Sequence, residues 1–467
     1  MILAGLAVAR MLSPSTLKLP NPAVATSVTE RFSVYYRGLG PGTNQTGLYS
    51  MAEFLTRTRA RERKGAGAVS PKVESSMLTT TGSKIPCAGL PFPKSEYDCR
   101  QQKVLEAVAR AELDAIVVTA IGHLRYLTGY HGFGGYFAPF PLILAPGCAP
   151  VFVAREYDAE AVCAEGCVDE VVCYRHPGDV AKTCAEVLRQ HRLQDRRVGL
   201  ELGCWNLAPA DVSAVQGLCP GMKVSDASHL VASVAAVKSP LELDVMRQAM
   251  TITDLAVRVF RNSVREGVSE TETYAAIVGE ASKVGGEIWR SVTLVFGDRT
   301  KMPHGVPTPH ALRNNEPAMI EIGGVKHGYA AGLVRSAVLG RHREAESLHA
   351  LSVEALESAI AAIKPGVSAK IVDAAARKVI EQSGRPGAFR HRTGYQSGIH
   401  WTERGNLSLE PAAEEILQAG MTFHLPIILF GESGHLFGCS EHVVVTDSGA
   451  EVLSRTGHNL FHAVGST

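Results

Sequence analysis

Ala318-Met-Ile-Glu321-Ile-Gly-Gly324-Val-Lys-His-Gly328-Tyr329-Ala-Ala-Gly332-Leu-Val-Arg335-Ser-Ala-Val-Leu339 is the stretch on which the fold turns. It holds two apolar runs of strand length, Ala318–Ile322 and Arg335–Leu339. Glu321 interrupts the first run, and a carboxylate there is expensive unless it is paired. Strand-like runs recur at Ser291–Phe296, Met421–Leu429 and Glu441–Thr446. Helices lie between them. Ser239-Pro240-Leu241-Glu242 offers a cap, a proline at the first helical position and a glutamate to close a capping box. Ser269-Glu270-Thr271-Glu272 repeats the box, and a third helix runs from about Arg343 to Ile363 before Pro365-Gly366 stops it. Helices with antiparallel strands predict an α+β domain over residues 236–467.

Residues 86–235 read as an α/β domain. Val104–Arg110 is helical, Asp114–Thr119 is a buried strand, and Pro141–Ala145 and Val151–Ala154 form a hairpin around Pro146-Gly147. Glu170–Tyr174 and Arg197–Leu200 continue the alternation of strand and helix. Residues 1–85 sustain no apolar period and crowd basic side chains between Arg57 and Lys64, so a mostly disordered low-complexity extension is expected. Met1–Leu12 is apolar with Arg10 and no acid, which suits a weak targeting segment or an over-extended start with Met51 or Met77 as the true one.

At 467 residues the chain exceeds a single core. A net charge of +1, with no recurrent basic and aromatic block, argues against nucleic acid as a partner. No apolar run approaches the ~20 residues of a membrane span. The ten cysteines include no C-x-x-C pair, and the Cys163 and Cys167 spacing has no matching half for a metal, so reduced thiols in a cytoplasmic compartment are expected. Gly132-Phe-Gly-Gly135 is too short and misplaced to bind a dinucleotide, so no cofactor is implied.

Five stretches stand out together: Met302-Pro-His304-Gly305, Ile320-Glu321-Ile-Gly-Gly324, Gly328-Tyr329 through Arg335, His391-Arg-Thr-Gly-Tyr395 and Cys439-Ser-Glu441. Their order and spacing resemble the pita-bread superfamily of methionine aminopeptidase, aminopeptidase P, prolidase and creatinase (peptidase family M24). Arg100, Tyr126-Leu-Thr-Gly-Tyr130 and Val237-Lys-Ser-Pro240 resemble its two-domain members. The resemblance implies a creatinase-type N-terminal α/β domain, a pita-bread catalytic domain and a homodimer. Its peptidases hold two ions with two Asp eleven residues apart, a His and two Glu, hard donors that leave an open position to activate water. Here the corresponding positions read Glu321, Gly332, Tyr395, no carboxylate around Phe423–Pro426, and Glu441 as the one left unchanged. Such a set does not cage two cations, so no metal is expected.

The run Phe296–Thr308, the His391–Tyr395 segment, Trp401-Thr-Glu403 and Gly420–His424 resemble metal-free creatinases and ectoine hydrolase, in which the residue matching His304 is the acid–base group. The loop between Gly398 and Glu403 is shorter than in that group. Residue types point the same way: an imidazole can move protons at neutral pH, and a carboxylate can pair with an N–C–N cation or attack its carbon. The expected set is His304 as acid–base, Glu321 as nucleophile or anchor, Glu441 as second anchor and Arg335 as clamp on a substrate carboxylate, with Tyr395, Glu403 and His424 as further contacts. The small-molecule substrate would be ectoine-like or creatine-like. Duller readings stand beside these. His304 is a loop residue, Arg335 only neutralises Glu321, Tyr395 fills the space of a lost ion, and His400 and Trp401 are pocket wall. A residual metallopeptidase with one ion at Glu321 and Glu441, and a non-catalytic binding module, are the rival functions.

Overall fold

The computed structural model describes residues 79–80, 89–132, 139–401, 405 and 407–464. The residue 1–85 extension, apart from the backbone of Thr79–Thr80, and Glu403 lie outside the described residues.

Seven strands form the first sheet, in the spatial order Thr79–Thr80, Glu170–Tyr174, Val151–Arg155, Leu142–Leu144, Ala115–Val118, Arg197–Leu200, Lys223–Asp226. The expected hairpin is present, with Leu142 opposite Phe152 and Gly147 at a φ of 73° in the turn. Parallel pairing of Ala115–Val118 with Arg197–Leu200, and of that strand with Lys223–Asp226, needs helical crossovers. The helix expected from Val104 begins earlier and spans Lys94–Arg110.

The helix Pro240–Ser263 opens with the expected reciprocal cap: Glu242 N–H donates to Ser239 Oγ at 3.3 Å, and Ser239 N–H donates to the Glu242 carboxylate at 3.0 Å. Glu270–Lys283 starts the same way at Ser269 and Glu272. Two antiparallel sheets follow. In one, Pro317–Lys326 pairs along its length with Tyr329–Leu339, and Thr293–Phe296 and Glu287–Ile288 extend it. In the other, Thr422–Phe430 pairs with Leu436–Val445, flanked by Gly394–Gln396 and Ala450–Val452. Helices cover the outside. Thr253 of Pro240–Ser263 donates to Ala331 O at 2.6 Å and accepts from Gly324 N–H at 2.8 Å, while Ser352 of the helix Arg343–Ala362 donates to Ile427 O at 2.5 Å. The predicted α+β architecture is the one observed.

Cys99, Cys148, Cys163, Cys173, Cys184, Cys204, Cys219 and Cys439 are free thiols, whereas Cys167 stands in a disulfide, against the expectation of reduced cysteines throughout. Among the described residues no helix is long and apolar enough to cross a membrane.

Candidate active site

Side chains alternate across a strand, so parity decides which residues reach the space between the two sheets. On Pro317–Lys326 that face carries Met319, Glu321 and Gly323, and their cross-strand partners on Tyr329–Leu339 are Ser336, Val334 and Gly332. On the second sheet it carries His424, Pro426 and Ile428 opposite His442, Ser440 and Gly438. These faces enclose a cleft of about 480 Å³ lined by His304, Glu321, Arg390, Arg392, Tyr395, Trp289 and Trp401 among apolar residues such as Met319, Ile428 and Phe430.

His304 reaches the cleft from a loop after the short 3-10 helix Gly297–Lys301, and its φ is 57°, a conformation few non-glycine residues adopt. The loop is fastened by a residue that the sequence suggested only as part of a helix start. Glu270 is fully buried and accepts from Phe296 N–H at 2.8 Å, Arg299 Nε at 2.9 Å, Thr308 N–H at 2.8 Å and the Thr308 hydroxyl at 2.7 Å. One carboxylate thus holds both ends of the segment that carries His304.

Three expected site residues do not line the cleft: Arg335 and Glu441, on the opposite faces of their strands, and His424, behind Tyr395. Arg335 pairs across the strands with Ile320 and so lies on the face opposite Glu321. It is 1% exposed and gives its guanidinium to Glu441 at 2.6 Å and to the carbonyls of Ser440, Val334 and Thr456. Its partner is Glu441, not Glu321, and both terminal nitrogens of the guanidinium are already engaged on the face away from the cleft. Glu441 is likewise fully buried on the outer face, where His458 and Ser454 also donate to it. The side chain that faces inward is that of the preceding residue, Ser440, opposite Pro426. These two assignments are corrected by the alternation of the strand.

His424 is a supporting residue. It is fully buried, with Nδ1 2.8 Å from the Tyr395 hydroxyl and Nε2 2.9 Å from Ser440 Oγ, which itself accepts Val334 N–H at 2.5 Å. The chain Ser440, His424, Tyr395 fixes the tyrosine that lines the cleft. His442 sits beside it: Nδ1 accepts Gly332 N–H at 3.2 Å, Nε2 meets Ser397 Oγ at 2.5 Å, and burial followed by the nearby Lys238 pushes its pKa down to about 3.

Two cleft cations that the sequence reading did not single out are Arg390 and Arg392, although both lie in or beside the His391–Tyr395 motif. The Arg390 guanidinium stacks 4.2 Å from the Phe430 ring centroid and that of Arg392 4.8 Å from the Tyr395 ring, with an Arg392 Nη1 bond to Ser408 Oγ at 2.7 Å. His391 between them lines the cleft too, and burial lowers its pKa.

The inward-facing residues test whether a two-ion centre fits. Beside Glu321 they are Gly332, Tyr395, Pro426 and Ser440. The Trp401 indole occupies the space above Gly332: a Cβ at that position would stand 2.3 Å from Trp401 Cη2. Among the described residues no three His, Cys, Asp or Glu converge as metal ligands. The donor set does not fit such a centre.

The family model described as metallopeptidase family M24 matches residues 244–447, and that of the creatinase/prolidase N-terminal domain matches residues 100–237. Ectoine hydrolase of Halomonas elongata is 30% identical over 403 residues, which cover 80% of this chain and 98% of that one. The chain belongs to family M24. An uncharacterized hydrolase/peptidase of Sinorhizobium fredii is 29% identical over 79% of this M24 chain and 97% of its own length. Among solved structures, a prolidase from Thermococcus sibiricus superposes with a TM-score of 0.72 at 20% identity, covering 78% of this chain and 99% of that one, which supports the pita-bread fold.

Proposed function

We propose that this M24 protein is a metal-independent hydrolase that cleaves a C–N bond of a small carboxylated amidine or guanidine, ectoine-like or creatine-like. The observation that carries the reading is the convergence of His304, Glu321 and the Arg390 and Arg392 pair on one cleft. That same cleft presents glycine, tyrosine, proline and serine where a dinuclear centre needs anionic or imidazole donors. Glu321 pairs with the N–C–N cation, either as anchor or by attacking its carbon. With Glu321 as anchor, water attacks the carbon and His304 takes the water's proton and passes it to the departing nitrogen. With Glu321 as nucleophile, protonated His304 gives its proton to that nitrogen and then takes one from the water that cleaves the intermediate and frees the Glu321 carboxylate. Arg390 and Arg392 receive the substrate carboxylate, the task first expected of Arg335. Tyr395, steadied by His424, lines the same space, and Glu403 remains a proposed contact. A homodimer in the cytoplasm completes the proposal.

The test is mass-spectrometric turnover of ectoine and creatine by the full chain, with and without chelator, beside His304→Ala and Glu321→Gln. Expected is turnover that survives chelation and falls by about 10²–10⁴-fold without the imidazole. Equal behaviour of wild type and His304→Ala on both compounds removes the assignment. The match to the metallopeptidase family model favours a second reading, a residual metallopeptidase first expected to hold one ion at Glu321 and Glu441, of which only Glu321 lines the cleft. Stoichiometric Mn, Fe, Co or Zn in the purified protein, with turnover lost on chelation, decides for it.

A further inference from the structure

We infer that a second site, which shares no lining residue with the cleft, binds a small oxyanion of the phosphate or dicarboxylate type where the helix Ile121–Thr128 meets the turn between Pro317–Lys326 and Tyr329–Leu339. The pocket there measures about 250 Å³, and four of its lining side chains are cationic or able to become so: Arg125, His131, Lys326 and His327. Glu287 is its one carboxylate; its charge favours the protonated forms of Arg125 and His327 without an ion pair within 4 Å.

Arg125 is the centre of the argument. Its guanidinium is drawn in against Gly328, where an added Cβ would stand 2.6 Å from both Nε and Nη1. Gly328 has a φ of 85° and follows His327 at 49°, so two left-handed residues make the tight turn that lets the guanidinium approach. Although half-buried, Arg125 donates through its side chain to no described residue. Burial disfavours its charge, which Glu287 then favours, and the imidazole of His327 is depressed first by burial and then by Lys326, Arg125 and His131, with Glu287 again acting the other way. Lys326 Nζ is the one with a partner, the Gly285 carbonyl at 3.1 Å. A half-buried guanidinium with unmet donors, beside a lysine and two histidines and only one carboxylate, offers several donors from which an oxyanion can accept at once. The planar fork of arginine suits carboxylate and phosphate geometry equally, so both are named.

The probes are inorganic phosphate and, separately, succinate, titrated calorimetrically into the full chain at pH 7 against sodium chloride of matched ionic strength. Wild type is expected to show saturable binding of at least one probe with a matching rise in Tm. Lys326→Gln and His327→Asn, the latter tolerant of a positive φ, are expected to weaken it about tenfold or more, and Arg125→Gln to abolish it. Because Arg125→Gln can fail by misfolding, the two rim variants carry the test. Binding of phosphate alone, or of succinate alone, assigns the source. No saturable heat with either probe overturns the site, as does undiminished binding in both rim variants.

Discussion

A methyl group at position 332 probes the claim that an indole has replaced a ligand. In Gly332→Ala the new Cβ meets Trp401 Cη2 at 2.3 Å and Cζ3 at 2.9 Å, and the Ile322 carbonyl at 3.4 Å. The ring has little freedom to retreat, because it packs edge to face against Tyr395, 6.3 Å between centroids, and against the buried His424, 5.7 Å between centroids. Overpacking of this kind costs about 1–3 kcal/mol. Loss of glycine's freedom in the unfolded chain offsets roughly 0.4–1 kcal/mol of that. A net destabilisation of about 1–2 kcal/mol remains, visible as a Tm lower by a few degrees. The decisive assay is a double-mutant cycle in urea with Trp401→Ala. Removing the indole opens the space, so in that background Gly332→Ala should be neutral or stabilising, with a coupling energy of at least about 1 kcal/mol. Additivity of the two changes within about 0.5 kcal/mol would refute the reasoning, since the indole would not then be what excludes a side chain at 332.

Three further outcomes are expected. Arg335→Ala should cost about 3–5 kcal/mol or prevent folding, because it strands the buried Glu441, whereas Arg390→Ala and Arg392→Ala should change urea midpoints little and raise KM for a carboxylated substrate. Glu270→Gln should lower kcat more than KM by loosening the His304 loop, and an unchanged kcat would separate that carboxylate from the site. His442 gives a pH dependence. Its folded pKa of about 3 lies below the unfolded value near 6.5, so the unfolded chain binds the extra proton between these limits and stability falls as the pH drops through them. From pH 6.5 to 5 this one group should remove about 2 kcal/mol, measured as the difference in urea stability between wild type and His442→Gln; parallel pH curves for the two proteins would contradict it.

What the sequence made legible was set by local chemistry, and what it hid was set by parity. Ser239 and Glu242 sit three residues apart and make their cap without help from distant parts of the chain, so the helix start could be read directly. His304, Glu321 and Tyr395 could be singled out because each stands in a short stretch with recognisable neighbours, and the structure brings all three to the lining of one cleft. Glu441 and Arg335 failed for a different reason. Leu436–Val445 and Tyr329–Leu339 are buried on both faces, so hydrophobic alternation, the usual guide to which side is inward, is absent from both. A carboxylate and a guanidinium in such strands carry no mark of the face they occupy, and a shift of one residue exchanges Glu441 for Ser440. The salt bridge itself shows why the outer face was available to them: each charge is tolerable there only because the other, with further hydrogen-bonding groups, meets it. The cleft therefore has one carboxylate on its described strands rather than two. Any substrate cation it takes must be matched by Glu321, with aromatic faces of Trp289, Tyr395 and Trp401 around it.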